Sequence, residues 1–109
     1  MEFRELSQRV VDNARYYGEK YDIVMDDHFA MVKLLEEVGE FAQAKLIHDK
    51  KCRPTKFVDE SESRQMLAEE LADIVGMAIV NADILGVDIE STILEKWSRS
   101  RQEKADTQS

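Results

Sequence analysis

The apolar residues of this chain recur at helical spacing and predict an all-α fold. From about residue 2 to residue 17, apolar side chains return every three or four positions, and Gly18 is placed to end this first helix. Its apolar members are Phe3, Leu6, Val10, Ala14 and Tyr17. A second helix is predicted to run to about His48, with Asp26 or Asp27 as its N-cap.

The third predicted helix opens near Asp59, which has capping-box spacing with Glu62, and closes at Gly86. Between Leu71 and Leu85, apolar residues occupy nearly every direction around the helix axis. This pattern is typical of a helix that is buried on more than one side. Because a small four-helix subunit cannot cover such a helix alone, the pattern predicts a bundle-like subunit that assembles into a homodimer or homotetramer.

The fourth helix is predicted to begin after Asp88 and to turn its apolar residues inward. These residues are Ile89, Ile93, Leu94 and Trp97. The polar tail, at about residues 102–109, is expected to fray, so residues 1–109 form one domain. Within the oligomer, either Ile79 or Val80 is expected near a subunit contact, and Asn81 and Asp83 are candidates for bonds across it.

The charge of the chain limits its partners. Acidic residues number 23 and Lys plus Arg 15, for a net charge of −8, which disfavours nucleic-acid polymers and anionic membranes as partners. The loop at about residues 49–58 is the one basic patch, with Lys50, Lys51, Arg53 and Lys56 around Pro54. A single cysteine, Cys52, and the lack of an apolar signal segment lead us to expect a cytoplasmic protein.

Two pairs of acidic residues border the predicted core. At about 100° per residue, Glu37 and Glu40 lie roughly 60° apart on the second helix, and Glu70 and Asp73 repeat this separation inside an apolar stripe of the third. Burying ionised carboxylates is costly unless they are paired or bound to a metal. The expected partner is therefore a divalent cation, and ligation by oxygen alone favours Mg²⁺, with Mn²⁺ as a substitute.

Two alternatives to this metal site differ in how well the residues support them. A diiron site needs Glu-x-x-His on two helices, and it fails because Met25 and Lys45 stand three positions before the two histidines. A solvated acidic face remains open, in which the glutamates of the second helix only keep the chain soluble. The chain is then a non-catalytic helical oligomer that binds a nucleotide or a partner helix.

The order of the acidic motifs resembles the signature of the MazG-like all-α nucleoside triphosphate pyrophosphatases. The first motif, Glu-Glu-x-x-Glu, stands in "KLLEEVGEFAQA", and the second, Glu-x-x-Asp, stands in "LAEELADIV". The stretch "ILGVDIESTILEKW" that follows also matches, so the resemblance covers roughly residues 28 to 101. It implies a homo-oligomeric helical bundle that uses Mg²⁺ to convert a (d)NTP to (d)NMP and pyrophosphate, as house-cleaning of the nucleotide pool. The metal ligands that it implies are Glu37, Glu40, Glu70 and Asp73, and Glu36 is the catalytic residue that orients or deprotonates water.

Substrate contacts are expected from basic and aromatic residues. Lys33, between the acids, is expected to stabilise a phosphate, with an ion pair inside the helix as the alternative. Lys96 and Arg99 are expected to contact the triphosphate from the final helix, although Ser98 stands where the family pattern favours asparagine. The basic loop is a further candidate. Six aromatic residues, unranked by the sequence, could stack on the base or fill the core: Tyr16, Tyr17, Tyr21, Phe29, Phe57 and Trp97.

Overall fold

The computed structural model describes residues 1–98, and across them the chain is helical and contains no strand. The helices in order are α1 (Phe3–Tyr21), α2 (Asp27–His48), α3 (Glu60–Leu85) and α4 (Ile89–Trp97), with a 3₁₀ turn (Pro54–Lys56) between α2 and α3. The all-α class and the four predicted helices are confirmed. In the described part, none of the helices combines the length and apolarity that crossing a bilayer requires.

Three helices begin at aspartate caps, as the sequence predicts. The caps are Asp26, Asp59 and Asp88, and each carboxylate accepts the amide of the residue three positions on, at 2.9, 2.8 and 3.1 Å. These bonds satisfy amides of the first turn that have no partner within the helix. Gly86 ends α3 in the left-handed conformation, with φ at 70°, which costs glycine little because it lacks a Cβ.

The end of α1 differs from the prediction. The helix continues through Gly18 to Tyr21, and Asp22 takes the left-handed position that follows it, with φ at 54°. Gly18 is buried because the chain folds back over it. A Cβ there would lie 2.7 Å from Met25 Cγ and 3.0 Å from the carbonyl oxygen of Ile23. The glycine therefore allows a close approach within the turn between α1 and α2, and does not end the helix.

The pair α2 and α3 is the centre of the fold, and two polar contacts show that the helices run antiparallel. Near one end, Asn81 Nδ2 donates to the carbonyl oxygen of Ala30 at 2.9 Å. Near the other, His48 Nδ1 lies 2.8 Å from Ser63 Oγ, which itself donates to the carbonyl oxygen of Glu60. In an antiparallel pair with a single register, the numbers of facing residues add to a constant. The two hydrogen-bonded pairs give the same sum, so one register holds along the whole helix pair.

Helix α1 packs on another side of α3. The contact is close at Gly76, where an added Cβ would lie 3.8 Å from Val10 Cγ1. Further along, Arg15 and Asp83 form an ion pair at 3.3 Å. The sequence placed Asp83 and Asn81 as candidates for bonds across a subunit interface. That expectation is wrong for the bonds observed, because each residue is bonded within its own chain.

The interior is thin for a chain of this size. Among residues 1–98, no large side chain is completely buried. Both Ile79 and Val80 are buried within the single chain, so the expectation that one of them lies near a subunit contact is wrong. The apolar side of α3 that stays exposed carries Leu71 and Val75 instead.

Helix α4 does not turn its apolar side inward. Ile93, Leu94 and Trp97 are 43%, 64% and 71% exposed, so the predicted inward packing is wrong for these three in the single chain. Ile89, the fourth residue of the predicted set, is half-buried. The closest packing in the described part is between α2 and α3 and between α1 and α3. The subunit therefore consists of three packed helices and a short fourth helix whose apolar residues are exposed, apart from Ile89.

Candidate metal centre

Three carboxylates from two helices meet beside the packed surface of α2 and α3. Glu37, Glu70 and Asp73 each offer one oxygen, and the three oxygens lie within 4.8 Å of one another. Glu70 and Asp73 are three residues apart and so lie on one side of α3. The register set by the two hydrogen-bonded pairs places Glu37 opposite Ile74. Glu37 therefore lies next to Asp73 and one turn from Glu70. Antiparallel packing therefore brings the two sequence motifs together.

The burial of these carboxylates is uneven. Glu37 and Glu70 are half-buried, whereas Asp73 is exposed. The Oε2 atoms of Glu37 and Glu70 are shielded from solvent, and no hydrogen-bond donor reaches either atom within the described residues. A buried acceptor without a donor is destabilising. Because Glu37 and Glu70 also belong to one cluster of carboxylates, a cation bound there would be stabilised.

Burial and mutual repulsion together raise the pKa values of the two half-buried glutamates. The pKa of Glu37 rises to about 7, first because the carboxyl is desolvated and then because the charges of Glu40, Asp73 and Glu70 lie nearby. The pKa of Glu70 is raised as well, by desolvation and then by the charge of Glu40. Without a cation, this cluster retains a proton close to neutral pH.

The donor set fits a hard divalent cation. All three groups are carboxylate oxygens, and Mg²⁺–oxygen distances of about 2.1 Å span ligands up to about 4.2 Å apart. The observed limit of 4.8 Å requires only small side-chain rotations to reach that span. Within residues 1–98, no second group of three potential ligands comes as close. Glu40 is exposed beside the three carboxylates, and its role as a fourth ligand stays a prediction.

Glu36 and Lys33 lie at the rim of the cluster and form a pair. Lys33 Nζ is 3.0 Å from Glu36 Oε2, and the Glu36 side chain is 53% exposed. The pKa of Lys33 is raised, chiefly by this hydrogen bond and to a smaller extent by the charges of Glu36 and Glu37. The ion pair inside the helix, one of the two alternatives for Lys33, is therefore present. The catalytic role of Glu36 and the phosphate role of Lys33 stay predictions.

The remaining basic residues lie farther along the chain. Lys96 is exposed in the last turn of α4, and Arg99 falls outside the described residues. In the basic loop, Lys50 has φ at 56°, and its Nζ lies 5.9 Å from the centre of the Phe57 ring. The loop begins after His48, about 16 Å along α2 from Glu37 at 1.5 Å per residue. Its contact with a triphosphate also stays a prediction.

The sequence did not lead us to predict the two hydrogen bonds that fix the register of α2 and α3 at the site. Ser63, Glu70 and Asn81 recur on one side of α3 at spacings that are multiples of a helical turn. This repetition of polar residues along the packed side of α3 was the signal available in the sequence, and it indicates polar contacts between the helices. Ser63 and Asn81 supply them, while Glu70 between them belongs to the acidic cluster.

No protein-family model, curated protein or solved structure matches this chain. The resemblance to the MazG-like enzymes therefore depends on the two acidic motifs and their order along the chain.

The raised pKa of Glu37 predicts how stability changes with pH when no metal is present. Between about pH 4.5 and 7 the folded state binds a proton that the unfolded state releases, so the free energy of unfolding falls as pH rises. The loss is at most about 3 kcal/mol. Glu37→Gln should remove this component, whereas Glu36→Gln, the same change at the exposed rim, should keep it.

Thermal melts between about pH 5 and pH 8, in the presence of a chelator, measure this effect. We expect the advantage of Glu37→Gln over the wild type to grow with pH and to disappear at acidic pH. Parallel curves for the wild type and Glu37→Gln would show that the cluster does not hold the proton.

Proposed function

We propose that this chain is a divalent-cation-dependent nucleotide pyrophosphohydrolase, which converts a (d)NTP to (d)NMP and pyrophosphate. The observation that carries the proposal is the convergence of Glu37, Glu70 and Asp73 from two antiparallel helices, with two shielded oxygens that no donor satisfies. The order of the two acidic motifs along the chain supports the same interpretation. As in the resembling family, the expected role is house-cleaning of the cytoplasmic nucleotide pool.

The reaction is the addition of one water molecule across the bond between the α and β phosphates. The water oxygen bonds to the α phosphorus, the bridging oxygen leaves with pyrophosphate, and the proton of the water passes to a base. When bound, a divalent ion neutralises phosphate charge and lowers the pKa of a coordinated water. A net charge of −8 disfavours a bound triphosphate, and the carboxylates of this chain contribute to catalysis by holding the ion that offsets the repulsion.

Glu36 is the residue that we assign to the proton. It is adjacent to Glu37 but points to the exposed rim, where water is accessible. Lys33 Nζ donates a hydrogen bond to the Glu36 carboxylate at 3.0 Å. On this assignment, Lys33 positions Glu36 and also offers a positive charge to a phosphate at the rim.

Purified protein incubated with the common NTPs and dNTPs and Mg²⁺ should release monophosphate and pyrophosphate from at least one of them. Glu70→Gln and Asp73→Asn should lower kcat/KM by about a hundredfold or more, because each removes a charge that holds the ion. Glu69→Gln is the matched control, since Glu69 is the exposed neighbour of Glu70, and it should retain wild-type activity. Ion chromatography of the products distinguishes pyrophosphate from orthophosphate.

Orthophosphate as the first product, or equal activity in all three variants, would contradict the proposal. A wild type that binds nucleotide and never hydrolyses it would favour the second candidate, a non-catalytic helical module. The large apolar side chains that α2 and α3 leave exposed are the observation that favours this second candidate.

We also propose that the chain assembles into a homodimer or homotetramer. Large apolar side chains are exposed along one stripe of α2 and one stripe of α3. Because the helices are antiparallel, their wheels place both stripes on the same side of the pair, and together they define the apolar surface. Its residues are Met31, Leu35, Val38 and Leu46 on α2, and Leu71 and Val75 on α3.

A second copy of the chain is the occupant that fits this surface. Continuous exposed apolar patches on a small domain mark an interaction site, and a surface that pairs with itself closes into a two-fold dimer. The single chain also lacks any completely buried large side chain among its described residues, so it gains core by pairing. The acidic cluster lies on the opposite side of the helix pair and stays open in such a dimer.

Light scattering at micromolar concentration should give the mass of a dimer or tetramer for the wild type. Leu35→Glu and Val75→Glu should each shift the mass to that of the monomer and lower the melting temperature, because a charge then lies within the packed surface. Val24→Glu, a similar change at an exposed position in the turn between α1 and α2, should leave the mass unchanged. A monomeric wild type, or variants with unchanged mass, would contradict the assembly.

A further inference from the structure

One side of α1 packs on α3 near the acidic cluster and continues into two exposed tyrosines. Val10, Tyr17 and Tyr21 are separated by seven and four residues, so they lie on the same side of the helix. Val10 meets α3 at Gly76, one turn after the candidate ligand Asp73. The side of α1 that borders the candidate site therefore continues into the two tyrosines.

The two tyrosines form an exposed aromatic pair. Their ring centres are 4.8 Å apart, and the planes are tilted by 53°. Tyr17 is 43% exposed and Tyr21 is 55% exposed, so neither ring fills the core of the subunit. Lys20 Nζ lies 5.4 Å from the centre of the Tyr21 ring and adds a positive charge to this surface. An accessible aromatic pair with an adjacent cation is suited to a planar, electron-rich ligand that is tethered to an anion.

Both tyrosines follow Val10 along α1. The rise from Val10 to Tyr17 is about 10 Å at 1.5 Å per residue, which is of the same order as the span from the phosphates of a nucleotide to its base. Tyr17 also comes near Lys33 of α2. The hydrogen bond that Lys33 donates to Glu36 and the charges of nearby glutamates raise the pKa of Lys33, and Tyr17 adds a smaller contribution in the same direction. Tyr17 is thus near the same rim to which we assign the proton transfer.

We infer that Tyr17 and Tyr21 form the platform on which the base of the nucleotide substrate stacks while its phosphates lie at the acidic cluster. This inference rests on the proposed function and adds the contact that holds the base. Of the six aromatic candidates in the sequence, the geometry selects these two. Stacking on an aromatic ring tolerates different bases, because every base has a π face. The platform supplies affinity for nucleotides as a class, and selectivity between bases comes from other groups.

The test compares a substrate that has a base with one that lacks it. The first is the nucleoside triphosphate that the wild type hydrolyses fastest, and the second is ribose 5-triphosphate. The double variant Tyr17→Ala/Tyr21→Ala should raise KM for the nucleotide about tenfold or more, given the usual contribution of a base–aromatic stack. Its KM for ribose 5-triphosphate should match that of the wild type, since no base is present to lose the contact.

Two further variants separate stacking from structure. Tyr17→Phe/Tyr21→Phe keeps both rings and should restore the nucleotide KM to within about twofold of the wild type. Tyr16→Ala removes an exposed ring of the same helix that lies outside the pair, and it should change neither KM. Light scattering of the double alanine variant should give the wild-type mass.

The outcomes distinguish this inference from the proposed function. Hydrolysis of nucleotides with an unchanged KM in the double alanine variant would overturn the platform and leave the pyrophosphohydrolase intact. An equal loss on both substrates, or a change of mass, would show that the tyrosines maintain the fold or the assembly, and would also overturn it. A wild type that hydrolyses no nucleotide would remove the proposed function and the platform together.

Discussion

The placement of two half-buried carboxylates against each other is the constraint on which this structure depends. Glu37 and Glu70 come from different helices, and burial, followed by the repulsion of neighbouring carboxylates, raises the pKa of each. Their proximity is maintained because α2 and α3 are held in register at both ends, by Asn81 on Ala30 and by His48 on Ser63. Hydrogen bonds between packed helices have a fixed geometry, so a shift of the register by one turn would break both. The unfavourable contact between the carboxylates is thus fixed by favourable contacts elsewhere, which is typical of a functional site.

The helix pair has two sides with opposite chemistry. One side carries the acidic cluster and is bordered by α1, which packs on α3 at Gly76. The other side carries the apolar surface, which the single chain leaves exposed. Because the same two helices supply both sides, pairing of the apolar surface with a second copy would also fix the helices that hold the carboxylates. Assembly and metal binding are therefore expected to stabilise each other through mass action.

Local signals in the sequence predicted the helices well. The aspartate caps and the glycine after α3 act through nearby backbone atoms, so their effect is readable from neighbouring residues. The sequence also predicted that the two acidic motifs border the core, because each motif has helical spacing beside an apolar stripe. Their closeness to within 4.8 Å was not, since it depends on the register between helices.

The failures have the same origin in long-range packing. Gly18 was interpreted as a helix end, but it serves a close contact with Met25 that only the folded turn reveals. The fourth helix was expected to bury Trp97, and the single chain leaves that ring exposed. Periodicity shows which side of a helix is apolar and does not show whether the same chain covers it. For this reason the sequence predicted assembly, which stays a prediction, and it placed Ile79 and Val80 at a contact although both are buried within the single chain.

The central claim is that Glu37, Glu70 and Asp73 hold a divalent cation, and anomalous scattering from crystals grown with Mn²⁺ tests it most directly. Mn²⁺ is the common substitute for Mg²⁺ at oxygen sites, and it provides an element-specific signal. We expect an anomalous peak at bonding distance from oxygens of these three residues. The peak should be absent from crystals of Glu70→Gln grown in the same way. Ordered carboxylates with no peak between them at saturating Mn²⁺, or peaks confined to other acidic residues, would contradict it.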